Sequence, residues 1–181
     1  MKTPKILFQL SLVICIIFLV INCNRQKPLK TVTVPFKADC TGEYIYFGPD
    51  TLPEPKCTGS LSLWRAVVDA KGTGEPMGNF TVHFDFCGDS LSNYGNLYAH
   101  IIDEKRDTLF LNSSGRVLDG RLDEHPAFVT SYWRDTIRFA GGTGRYKGAT
   151  GIAVTDDYNS SEDPNSHHHW TGTIALVKGR K

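Results

Sequence analysis

Three groups of residues in this 181-residue chain have types and spacings that chemistry could use. His167-His168-His169 follows Asp156, Asp157, Glu162 and Asp163. Neutral imidazoles and carboxylates in such proximity suit zinc, copper or nickel. On an extended chain, however, neighbouring side chains point to opposite faces, so three consecutive histidines converge only where the backbone bends. The run therefore reads as surface histidines, and neither a metal nor another cofactor is expected. The second group is Gly141-Gly142-Thr143-Gly144, followed by Gly148 and Gly151, which superficially suggests a phosphate cradle. Such a cradle follows a strand, opens a helix and carries adjacent Lys and Ser/Thr. Here Ile152-Ala153-Val154-Thr155 follows instead, another strand pattern. Gly141, Gly142, Gly144, Gly148 and Gly151 thus read as a structural turn that needs positive φ and close strand approach.

The cysteines form the third group. Cys40, Cys57 and Cys87 allow one disulfide with one thiol left over. Cys57–Cys87 is the favoured pair, closing a loop of about thirty residues, and Cys40–Cys57 is the alternative. A catalytic thiol would need an activating histidine, for which His83 and His100 are candidates. Paired carboxylates for acid/base work would come from Glu43, Asp69 and Asp85, which lie in or beside strand patterns. Their simpler reading is the solvated face of those strands. No nucleophile elbow, zinc-protease helix or paired-Cys zinc pattern is present, and no catalytic residue is assigned.

Period-two alternation must supply the scaffold. Val32, Val34, Phe36, Ala38 and Cys40 alternate with Thr31, Thr33, Pro35, Lys37 and Asp39, the mark of a half-buried strand. It returns at Phe80, Val82, Phe84 and Phe86. Further strands are predicted over Leu61–Ala70, Asn96–Ile102, Thr108–Asn112, Ala127–Trp133, Thr136–Ala140, Gly151–Thr155 and Trp170–Val177. Turns are predicted at Gly48-Pro49-Asp50, Lys71-Gly72-Thr73-Gly74, Ser113-Ser114-Gly115 and Gly141–Gly144. No window reads as a capped amphipathic helix. The fold class is all-β, and barrel closure, which removes exposed edges, is favoured over a sandwich.

The N-terminus carries an address. Lys2 and Lys5 precede sixteen uncharged residues, Ile6 to Ile21, which is short for a bilayer span and right for a secretory h-region. Leu19-Val20-Ile21-Asn22-Cys23 resembles a bacterial lipobox, although Asn22 stands where a small residue is usual. Residues 1–22 are accordingly a lipoprotein signal peptide, Cys23 the lipidation site, 23–30 a tether and 31–181 the barrel domain. Two acyl chains would give stable anchoring, so the expected location is the cell envelope, at the outer membrane with a periplasmic or surface-facing domain. Removing 1–22 takes the formal charge from +1 to −1. With 40% hydrophobic and 22% charged residues, the chain is neither disordered nor suited to nucleic acid.

Several segments resemble the family of exported bacterial proteins with an allene oxide cyclase-like, or dirigent-like, calycin-type barrel. They are Val34-Pro35-Phe36-Lys37-Ala38, the run from Gly72 to Thr81, Asp107-Thr108-Leu109-Phe110, Trp170-Thr171-Gly172-Thr173-Ile174 and, most specifically, Ile137 to Gly151. Where that family often has His-Leu-Gly, this chain has Pro76-Met77-Gly78. The resemblance implies a single antiparallel barrel of about eight strands and leaves the reaction open. Phe80, Phe84, Phe86, Trp64, Trp133 and Trp170 could line its interior. The function expected is a non-enzymatic, membrane-anchored barrel that binds a small apolar ligand or a surface partner, with no nucleic-acid partner. The alternatives are a cyclase or isomerase acting on an apolar substrate inside the barrel, and a purely structural envelope module. A buried Asp or Glu beside an apolar pocket would favour the enzyme, and a solid core the structural role.

Overall fold

Apolar residues at every second position of Phe36, Ala38 and Cys40 give one strand a single face that must be covered. In the computed structural model, which describes residues 30–179, that strand is β1 (Thr31–Gly48), and all three side chains are buried. The signal peptide expected over residues 1–22 and the lipidation expected at Cys23 fall outside the described residues. After β1 come β2 (Trp64–Glu75), β3 (Gly78–Gly88), β4 (Asn93–Asp103), β5 (Thr108–Asn112), β6 (Gly115–Arg116) and β7 (Leu118–Asp119). They are followed by β8 (Val129–Trp133), β9 (Thr136–Gly142), β10 (Thr150–Thr155), β11 (Asp157–Ser160) and β12 (Ser166–Val177). Among the described residues there is no α-helix, only 3-10 turns at Gly59–Leu61 and Gly144–Tyr146.

The sheet runs β1-β2-β3-β4-β5-β9-β10-β12 and closes because β12 pairs with β1, from Thr31↔Val177 to Gly42↔Ser166. This is an antiparallel eight-stranded barrel, with no free edge along the closed path. The shorter segments continue barrel strands. β10 and β11 oppose β12 in one register, with Thr155 facing Trp170 and Tyr158 facing His167. Likewise β9 and β8 oppose β10 and β11, with Thr136 facing Val154 and Trp133 facing Asp157.

Two local expectations change. Lys71–Gly74 is not a turn but the continuation of β2, and the reversal falls at Pro76-Met77. A side chain at Gly72 would run into the Asp39 carbonyl and Cys40 of β1, so this glycine lets two strands approach rather than letting the chain turn. The histidine run also belongs to β12, which starts at Ser166 rather than Trp170.

The two ends of the barrel differ. Phe36, Met77, Ile101, Leu109, Tyr146 and Ile174 are fully buried and fill one end. Tyr146 reaches it from the 3-10 turn of the glycine-rich loop, where its ring lies under Arg145, whose Nη2 pairs with the buried Asp103 at 2.6 Å. At the other end, residues 49–63 cross from β1 to β2. A Cys57–Cys87 disulfide fastens this segment to β3, and Asp50 accepts bonds from the Lys56 and Cys57 backbone N–H groups at 2.7 and 2.8 Å. Arg65 bridges Asp50 at 3.0 Å and Asp85 at 2.6 Å. Burial by itself raises the Asp85 carboxyl, but Arg65 and Lys56 together hold it below the usual carboxylate range.

Candidate functional site

The half of the barrel away from the Tyr146 plug is not filled. It holds a cavity of about 510 Å³ that opens between the ends of the strands, within the size range of small-molecule sites. Its walls are aromatic: Trp64, Phe84, Phe86, Tyr94, Trp133 and Trp170 all line it. These side chains come from β2, β3, β4, β8 and β12, so only ring closure gathers them. Of the aromatics expected to line the interior, Phe80 is the exception; it belongs to the packed core and is not in the cavity wall.

A buried polar cluster interrupts the aromatic wall. Asp157, at the start of β11, is 2% exposed. Its carboxylate accepts the Trp170 Nε1–H at 3.0 Å, the His169 backbone N–H at 3.0 Å and the His168 Nδ1–H at 2.9 Å. His168 Nε2 lies 2.9 Å from Ser166 Oγ, which is also 3.3 Å from the Gly42 carbonyl oxygen. The imidazole stacks on Phe84, ring centres 5.2 Å apart, with Trp133 and Trp170 edge-on at 5.8 Å. Ser166, His168 and Trp170 sit at i, i+2 and i+4 of β12 and are all buried. Strand parity therefore brings them to one face, and the constant register brings Asp157 to them.

A second polar pair joins buried Tyr94 to half-buried Asp135. The Tyr94 hydroxyl donates to Asp135 Oδ2 at 2.8 Å. Burial raises the Asp135 carboxyl above its ordinary range; the Tyr94 bond opposes this and the Asp157 charge adds to it. Burial and the adjacent Asp135 charge push the Tyr94 phenol well up, so it stays a protonated donor at neutral pH.

The other residues singled out from sequence do not meet here. His167 and His169 point out of the barrel, towards Asp163 at 2.9 Å and Asp39 at 2.6 Å, with the Tyr158 ring stacked against both. Among the described residues no group of three His, Cys, Asp or Glu side chains is placed to hold a metal. Cys40 is free, faces the core, and has its thiol pushed far up by burial first and then by Asp157 and Asp39. It lacks the activation a nucleophilic thiol needs. His83 and His100 pair on the outer wall, centres 5.6 Å apart, and His83 lies 2.7 Å from Asp69. Neither joins Cys40, because they occupy the outward parity of β3 and β4. Glu43 and Asp69 are cross-strand neighbours on the exposed face, and Asp85 belongs to the Arg65 cluster. The glycine-rich loop has positive φ at Gly141, Gly144, Gly148 and Gly151 but not at Gly142, and it lies at the plugged end.

The carboxylates that matter, Asp157 and Asp135, were absent from the pairs considered in the sequence. A usable signal existed: the alternation of Trp170–Val177 extends back through His168 to Ser166, which marks those residues as inward-facing. No family model matches this chain, nor does any curated protein or solved structure.

Proposed function

We propose that the barrel is a receptor for a small apolar molecule, aromatic or polycyclic in size, that carries one hydrogen-bonding group. The observation behind this reading is the aromatic-walled cavity of about 510 Å³ with its buried cluster of Asp157, His168 and Ser166. Flat rings offer large contact area to such a ligand, and the polar cluster fixes its orientation. A filled interior would have supported a structural module instead.

A neutral apolar fluorophore such as N-phenyl-1-naphthylamine tests the reading. Its emission should rise saturably with micromolar affinity on titration with the full-length protein. Leu97→Trp adds bulk to the cavity wall and should weaken binding by at least tenfold while the melting temperature stays within a few degrees. Linear, unsaturable emission, or equal affinity in the variant, would refute cavity binding.

The reading includes the location. The charged n-region, the short apolar run and Cys23 support an exported lipoprotein held at a membrane by acyl chains on Cys23. Palmitate labelling in the native host should be strong for the wild type and absent for Cys23→Ala. Equal labelling of both would eliminate the anchor. A second reading, a cyclase or isomerase, draws support from one observation: a buried carboxylate, Asp157, lines the apolar cavity, and the half-buried Asp135 is bonded to Tyr94 of its wall.

A further inference from the structure

We infer that Ser166, His168 and Asp157 form a nucleophile–base–carboxylate relay, and that the cavity hydrolyses a carboxylic ester with an apolar acyl group. The inference rests on the cavity accepting a small apolar molecule, as proposed above, and adds a reaction to it. A triad is identified by geometry and roles rather than by chain order or fold. Ser166 Oγ is 2.9 Å from His168 Nε2, and His168 Nδ1 is 2.9 Å from Asp157 Oδ2. These are the two hydrogen bonds that a serine nucleophile requires, one to its base and one from the base to an orienting group.

The surroundings fix each part. Asp157 is held from outside the relay by the indole N–H of Trp170 and the backbone N–H of His169. Its remaining strong bond aligns the imidazole, so that Nε2 faces the hydroxyl. Phe84 on one face and Trp133 and Trp170 at the edges keep the ring from rotating. Gly42, the cross-strand partner of Ser166, leaves the hydroxyl its place: a Cβ there would fall 2.7 Å from Oγ. Ser166, His168 and Asp157 all line the cavity. So does Asn165, next to Ser166 in the chain. The water-poor wall strengthens every charge interaction in the relay.

In the first step the Ser166 hydroxyl proton passes to His168 Nε2 as Oγ bonds to the ester carbonyl carbon and the carbonyl π pair moves to oxygen. Collapse of that adduct breaks the ester C–O bond, and the leaving alkoxide takes the proton from Nε2. Water, the second reactant, then repeats the sequence. It gives a proton to His168 and bonds to the acyl carbon, and Oγ departs and recovers its proton as the carboxylic acid is released. Asp157 remains a carboxylate throughout, and no electron is gained or lost. His168 and Ser166 are catalytic in this scheme; Asp157 and Trp170 are positioning residues.

The test uses the full-length protein in detergent and an aryl-alkyl fluorophosphonate, which phosphonylates a reactive serine and expels fluoride. One adduct per chain is expected, mapped by fragmentation to Ser166, with p-nitrophenyl butyrate hydrolysis lost in step with labelling. His168→Ala should slow labelling by more than a hundredfold. Wild-type labelling needs no variant to fold, and N-phenyl-1-naphthylamine titration of the same sample reads binding separately. Saturable dye binding without an adduct on Ser166 overturns the hydrolase and leaves the receptor standing. Absence of both dye binding and the Ser166 adduct overturns the two together.

Discussion

Asp157→Ala should lower the melting temperature by roughly 10 °C. The carboxylate is 2% exposed and accepts bonds from Trp170 Nε1, His168 Nδ1 and the His169 N–H. Removing it strands three N–H donors, and leaving buried donors unpaired costs about 1–3 kcal/mol each. In a domain of this length each kcal/mol moves the midpoint by about 2–4 °C. Asp157→Asn keeps the volume and one acceptor oxygen, so roughly half the loss is expected. Calorimetry of the three proteins side by side checks this. An alanine variant within about 1 kcal/mol of the wild type would mean that the cluster contributes nothing to holding β11 against β12.

Replacing both Cys57 and Cys87 with serine should destabilise the protein by about 3–4 kcal/mol, the chain-entropy value for a closed loop of this length. The bridge spans a sequence separation of 30 and is the covalent link between the 49–63 segment and β3. That segment leads directly into Trp64, part of the cavity wall. The loss should therefore extend from stability to ligand retention, with faster release of N-phenyl-1-naphthylamine. Urea melts of the wild type with and without dithiothreitol, beside the double variant, provide the measurement. Coincident midpoints for all three would show that Arg65 with Asp50 and Asp85 holds the segment without the bridge.

The cavity explains why the histidine run was difficult to read. As three adjacent ligands, His167, His168 and His169 suggest a metal, and the extended-chain argument makes them surface residues. Parity makes that correct for two of them and wrong for the third. His168 carries the same side-chain type as its neighbours but the opposite direction, and direction depends on where β12 begins. The run precedes the predicted strand start at Trp170, so parity is not assigned to it, and buried His168 reads like half-buried His167 and exposed His169. Asp156 and Asp157 enter the sequence reading together as carboxylates near the histidine run, while the structure places Asp156 on Arg134 at 2.7 Å and Asp157 inside the wall.

Alternation at Phe36, Ala38 and Cys40 and at Phe80, Val82 and Phe84 was enough to establish strands, and their number and close spacing pointed to an all-β barrel. Those are local consequences of side-chain period and turn chemistry, which a sequence carries directly. Whether the interior is full or hollow is not local. It depends on how many large side chains each level of the ring receives from eight different strands, and on Tyr146 being delivered by a loop to one end only. The same holds for the relay. Ser166 and His168 are near neighbours in the chain, but Asp157 reaches them through a hairpin register, and Gly42 meets Ser166 only because the last strand closes on the first. Sequence by itself determined that strands form and which face of the clearly alternating ones is buried. Closure of the ring decided which of those residues meet, because contacts between strands distant in the chain are set by register and shear rather than by any pattern within one strand.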